Sequence, residues 1–125
     1  MFQIRALLPW TLPIVAATVA GLSSASAETM SFYMKNQTTR SVVVELYAQD
    51  RQHVWPGDDQ VYFLETGEKK SVPIECTPGE RICWGAWRYG NDRWTWGTGP
   101  DNARTCEDCC SLCVPSGTET IDLSE

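Results

Sequence analysis

Residues 71–97 read SVPIECTPGERICWGAWRYGNDRWTWG. Val72, Ile74 and Cys76 alternate with polar neighbours or Pro, which is the period of a strand with one buried face. Thr77-Pro78-Gly79-Glu80 follows with turn chemistry, because Pro fixes φ and Gly frees it. Arg81–Tyr89 is a second strand, Gly90-Asn91-Asp92 a second turn, and Arg93–Gly97 a third strand. Working outward, Ser41–Gln49 places Val42, Val44, Leu46 and Ala48 on one face and Val43, Glu45, Tyr47 and Gln49 on the other. Ser31–Lys35 alternates as well, and with the polar break Asn36–Thr39 it is expected to form a hairpin with residues 41–49. Trp55–Asp59 is a turn, Val61–Leu64 a short strand and Thr118–Ser124 a closing strand. Helical periodicity is almost absent. The expected fold is mainly β, a small antiparallel β-sandwich or barrel stapled by disulfides. Thr105–Cys113 is the exception, a short helical or irregular cysteine-rich segment near the C-terminus.

The first 27 residues read as a cleavable signal peptide. Arg5 supplies the positive start, an uncharged apolar stretch runs to about Gly21, and Ala25-Ser26-Ala27 gives the small-residue cleavage pattern. The stretch is short for a membrane anchor and carries Pro9 and Pro13. The expected domains are therefore 1–27, signal peptide, and 28–125, one disulfide-rich β domain with no membrane insertion after cleavage. Of the 125 residues, 98 remain after those 27, enough for one domain. Only Arg5 is charged in the removed part, so the net charge moves from −6 to −7. Such an acidic surface without a basic stripe argues against nucleic acid as a partner.

All six cysteines, Cys76, Cys83, Cys106, Cys109, Cys110 and Cys113, lie in the mature part. An even count in a small exported chain points to a disulfide framework and a secreted or periplasmic location. Residues 106–113, CEDCCSLC, fuse two C-x-x-C pairs. Cys106, Cys109, Cys110 and Cys113 therefore form an alternative, tetrahedral zinc site. Against it, zinc half-sites usually converge from separate parts of a chain, and Glu107 and Asp108 add charge to four thiolates. A Pro78-Gly79 hairpin would set Cys76 and Cys83 diagonally on one face, able to bond each other or to reach the 106–113 segment. At least one bond from this pair to the cluster is expected; the pairing itself stays open.

Residues 84–96, WGAWRYGNDRWTW, are the second notable stretch. With Asn91-Asp92 at the turn centre, Tyr89 would oppose Trp94 and Trp87 would oppose Trp96. All four rings would then line one face, a platform for a sugar ring, with Arg88, Asn91, Asp92 and Arg93 nearby. Packing of the same rings as core is the commoner use of such pairs, and a different turn would scatter them over both faces.

No catalytic constellation stands out. His53, the only histidine, sits in a polar stretch with no nucleophile brought to it. Asp58-Asp59 and Glu107-Asp108 are adjacent acids, poorly spaced for paired-carboxylate chemistry. Asn36-Gln37-Thr38 matches a glycosylation sequon. The strings CTPGERICWGAW, WGTGPDN and CEDCCSLC, within residues 72–113, resemble small exported cysteine-rich bacterial proteins of uncharacterised function. That resemblance implies an exported, periplasmic setting and carries no activity. The leading expectation is a non-enzymatic binding module without cofactor, meeting a carbohydrate or protein partner in the envelope or outside the cell. Zinc binding and inhibition of a secreted enzyme through a rigid Trp55–Gln60 loop are the alternatives.

Overall fold

The computed structural model describes residues 27–125, together with Pro13. The expected signal peptide otherwise lies outside the described residues. Nine strands follow in order: β1 (Glu28–Asn36), β2 (Val42–Ala48), β3 (Val54–Trp55), β4 (Tyr62–Leu64), β5 (Lys69–Cys76), β6 (Arg81–Arg88), β7 (Asn91–Gly97), β8 (Cys110–Leu112) and β9 (Thr118–Leu123). They form two sheets. The smaller has the order β5-β1-β9. In the larger, β2 and β6 are central; β3 and β4 share the outer edge of β2, while β7 and β8 share the outer edge of β6. The strand pairs are antiparallel except β1·β9, which is parallel.

Alternation explains the core. Met30, Phe32 and Met34 of β1, Val72 and Ile74 of β5, and Ile121 and Leu123 of β9 form one apolar face. It packs on Val42, Val44 and Leu46 of β2 with Leu64, Ile82 and Ala86 beside them. Each fully buried large side chain contributes about 1.5–3 kcal/mol relative to exposure. Trp55, at the rim, donates its Nε1–H to Glu75 O at 3.0 Å and so ties the larger sheet to the smaller.

Two expected hairpins are not formed. β1 and β2 belong to different sheets, because the chain corners at Asn36 rather than folding back. The Asn36 side chain is buried; its Nδ2 lies 2.8–3.2 Å from the carbonyl oxygens of Arg40, Leu64 and Glu65. Its Oδ1 accepts from the Thr38 N–H and Oγ1–H. This amide pins the corner to the end of β4, and in the folded domain its sequon nitrogen is closed to a glycosyl donor. The Thr77–Glu80 turn likewise carries the chain from one sheet to the other, so Cys76 and Cys83 do not share a face. Cys76 points into the core, whereas Cys83 lies opposite Tyr47 on the outer face of the larger sheet.

Three disulfides follow: Cys76–Cys113, Cys83–Cys110 and Cys106–Cys109. The segment expected to be helical or irregular contains a single 3₁₀ turn, Glu107–Cys109, followed by strand β8. Before it, residues 98–105 lie over the outer face of β2 and β6. Tyr47 Oη donates to Gly99 O at 3.0 Å, and a Cβ on Gly85 would collide with the Gly99 backbone. Such a disulfide set is consistent with an extracellular or oxidising compartment. No helix among the described residues is long and apolar enough to cross a membrane.

The bonds should differ in weight, since closing a longer loop removes more unfolded-state entropy. Cys76–Cys113 spans 37 residues and Cys106–Cys109 spans 3. The Cys76→Ala/Cys113→Ala variant is expected to lose about 2–4 kcal/mol in chemical denaturation, and Cys106→Ala/Cys109→Ala less.

Candidate functional site

The aromatic ribbon of β6 and β7 takes a different register from the one its sequence suggests. Arg88 pairs with Asn91, so the turn is Tyr89-Gly90, with Gly90 at φ 79°. That positive φ is what glycine accepts without steric cost, and it draws the turn two residues earlier than Asn91-Asp92. The next pairs are Trp87 with Thr95 and Ala86 with Trp96. Asp92, Arg93 and Trp94 therefore lie between two paired positions with no residue opposite them on β6, a bulge that swings β7 outward.

The expected single platform of Trp87, Tyr89, Trp94 and Trp96 is consequently divided. Trp96 lies opposite Ala86 on the core side, where it packs against the core and donates its Nε1–H to Ser124 O at 2.9 Å. Trp94 has the same parity but stands at the ribbon's end, 53% exposed, with the Arg88 guanidinium carbon 4.4 Å from its ring centroid. The Arg88 Nε is buried without a hydrogen-bond acceptor, and the Trp94 ring is a cation–π partner of the guanidinium. Trp87 lies on the outer face, opposite Val43 and Thr95.

Tyr89, in the turn and 66% exposed, meets Phe63 edge to face at 5.3 Å. Phe63 is itself opposite Val43 on β4. The outer surface at this end is thus Trp87, Tyr89 and Phe63, with Val61 two residues before Phe63 on the same side. Phe63 and Val61 are 37% and 36% exposed, and Val43 is buried. Neither was singled out from sequence, although the alternation of Val61–Leu64 already separates Val61 and Phe63 from Tyr62 and Leu64. Beside Trp87 the bulge leaves a hollow of about 300 Å³, lined by Trp87, Gly90, Asn91 and Asp92. Asn91 Oδ1 accepts the Arg93 N–H at 3.3 Å.

The cysteines weighed as a zinc site are each bonded to another cysteine, so Cys106, Cys109, Cys110 and Cys113 offer no thiolate. Of the expected Trp55–Gln60 loop, Trp55 belongs to the core. The exposed tip, Asp58–Gln60, is held by the Gln60 N–H donating to Gly57 O at 3.0 Å.

A second concavity is polar. It measures about 620 Å³ and lies between residues 49–54 and Asp101-Asn102, floored by Glu45 and Tyr47. Burial, with help from the Asp101 and Asp59 charges, raises the Glu45 carboxyl pKa, with the neighbouring Tyr47 hydroxyl opposing them. Burial and the Glu45 charge raise Tyr47 as well. His53 is exposed on the wall, edge-on to Trp55 at 4.6 Å. Arg51, on the same wall, binds buried Glu80 through Nε to Oε1 and Nη2 to Oε2, both 3.2 Å.

No known protein family, curated protein or solved structure matches this chain, so its site is read from its own geometry.

Glu80 gives a pH dependence. Burial alone would raise its carboxyl, but the Thr77 N–H and the Arg51 guanidinium outweigh it and hold the pKa below the ordinary 4.5. A depressed acid stabilises the fold above its unfolded pKa, and that contribution disappears as pH falls through the folded pKa. Glu80→Gln should therefore cost about 1–3 kcal/mol at neutral pH. In denaturation curves taken down from pH 7, its deficit against the wild type should shrink below the ordinary carboxylate value of 4.5.

Proposed function

We propose that this protein is an exported, non-enzymatic binding module. It acts in the periplasm or outside the cell and meets its partner through the outer aromatic end of the larger sheet. One observation carries this reading. Among the described residues six large apolar side chains are exposed, and three of them, Val61, Phe63 and Tyr89, gather on one side beside partly buried Trp87. Contiguous apolar surface costs solubility, and where it persists on a small soluble domain it commonly marks an interaction site. The position is also anchored to its neighbours. Trp87 is held between β2 and β7, and the Tyr89 N–H donates to Ser41 O at 2.9 Å. A preordered surface loses less side-chain entropy when a partner arrives.

The test is retention of the purified protein on washed envelope material and extracellular polymer from cells that make it. Wild type should be retained, and Trp87→Ala/Tyr89→Ala should be retained about tenfold less while keeping its dispersed NMR spectrum. Equal retention of a folded variant would remove this surface from consideration.

A further inference from the structure

At the aromatic end of the larger sheet's outer face lies the hollow beside Trp87, lined by Trp87, Gly90, Asn91 and Asp92. We infer that this hollow is a carbohydrate subsite that takes an uncharged pyranose residue of a glycan, an inference that rests on the preceding assignment of the surface. The chemistry that recognises a sugar ring has two parts. An aromatic face must meet the ring's axial C–H bonds, whose partial positive charge is attracted to the negative π face. Polar groups at the edge of that face must then exchange hydrogen bonds with the equatorial hydroxyls, fixing orientation. Trp87 supplies the ring.

Asn91 and Asp92 supply the edge. The Asn91 oxygen is engaged by the Arg93 N–H, which leaves its Nδ2–H₂ as a donor. The Asp92 side chain is exposed and makes no salt bridge among the described residues, so its carboxylate is an acceptor. A donor amide and an acceptor carboxylate side by side complement a vicinal diol, whose hydroxyls each give and take a hydrogen bond.

The backbone accounts for why these groups converge. In a regular ladder Asp92 would lie opposite Trp87 in the sheet. The bulge of residues 92–94 removes it from the ladder and sets it at the rim of the hollow with Trp87. Bulges are a recurrent means of re-aiming side chains beside binding sites. Gly90 leaves the turn side open, since a Cβ built there meets no atom within 4 Å. An internal residue of a polymer can therefore lie across the hollow without its ends being blocked.

Size favours a sugar over a protein surface. About 300 Å³ lies at the small end of ligand sites. A protein partner generally needs roughly 800 Å² of continuous contact on each side, and here the apolar strip of Val61, Phe63 and Tyr89 ends at a polar-lined hollow. Charge selects among sugars. Asp92 in the rim and a net charge of −6 on the chain repel uronic, sulfated and sialylated residues.

The experiment titrates the oxidised, exported protein with cellotriose, chitotriose and maltotriose as uncharged probes and trigalacturonate as the acidic one, each to ~10 mM. Binding is read by calorimetry and by the indole N–H resonances, that of Trp87 assigned by its loss in Trp87→Ala. At least one uncharged trisaccharide should bind saturably and shift the Trp87 resonance more than that of Trp84. Trp87→Ala should weaken it about tenfold or more, and Asn91→Ala or Asp92→Ala about threefold to tenfold. Leu112→Ala, far from the hollow, should leave affinity unchanged. Should Trp87→Ala fail to fold, the exposed Asn91→Ala and Asp92→Ala variants carry the test. Tighter binding of trigalacturonate, affinity indifferent to these variants, or no saturable shift with any probe would each overturn the sugar assignment. Envelope retention through Trp87 and Tyr89 together with silent trisaccharides would leave the docking surface standing with a protein as its partner, whereas loss of both would remove the surface too.

Discussion

Between Cys110 and Cys113 the chain is bonded covalently to both sheets. Cys110 is joined to Cys83 on the outer face of the larger sheet, and Cys113 reaches through to Cys76 in the core face of the smaller one. A domain of this size has one thin apolar layer and buries a limited fraction of its surface. Two staples from residues 110–113 hold that layer closed at one end, while the Asn36 side chain, through five hydrogen bonds, does so at the corner of β1. Everything between these points, including the polar cleft and the aromatic ribbon, sits on a frame whose ends cannot part.

The staples also explain why the larger sheet has a buried outer face. Tyr47, Cys83 and Gly85 would be exposed on a simple sandwich. They are covered because residues 98–109 must travel from the end of β7 to Cys110, which is fixed opposite Cys83. Glycine at position 85 lets that segment lie directly on the sheet, because a Cβ there would collide with the Gly99 backbone. The Tyr47 hydroxyl then finds an acceptor in Gly99, so its polar group is satisfied where its ring is buried.

Much of this was legible in the sequence, and the limits are instructive. Period-two alternation locates the strands around Val42–Ala48 and Val72–Cys76 and sorts their residues into two faces. It could not tell which strand each one joins, because both hairpins and sheet-to-sheet corners are built from the same turn residues. Pro78-Gly79 and Asn36–Thr39 are corners, decided by distant partners such as Leu64 and Cys113. The ribbon was misregistered for a local reason. Asn91-Asp92 and Tyr89-Gly90 are both serviceable turn centres, and the choice of the second becomes visible only with the bulge that compensates for it. The aromatic residues were therefore found, but their division between core, outer face and ribbon end was not. Phe63 carries no local signal because its importance comes from lying two strands away from Trp87, across Val43.

The parallel pairing of β1 with β9 has a consequence for how the molecule comes into being. β1 is the first strand and the centre of its sheet, yet its neighbours are the fifth strand and the last. Contacts so distant along the chain form slowly, since loop-closure entropy must be met before they stabilise anything. While the polypeptide is still emerging from its N-terminal end, Met30, Phe32 and Met34 have no sheet to join, and both hydrogen-bonding edges of β1 stay open. Such an edge invites pairing with other chains. Synthesis of the protein should thus place an early demand on whatever escorts nascent chains, and that demand ends only when residues 118–123 arrive to complete the sheet.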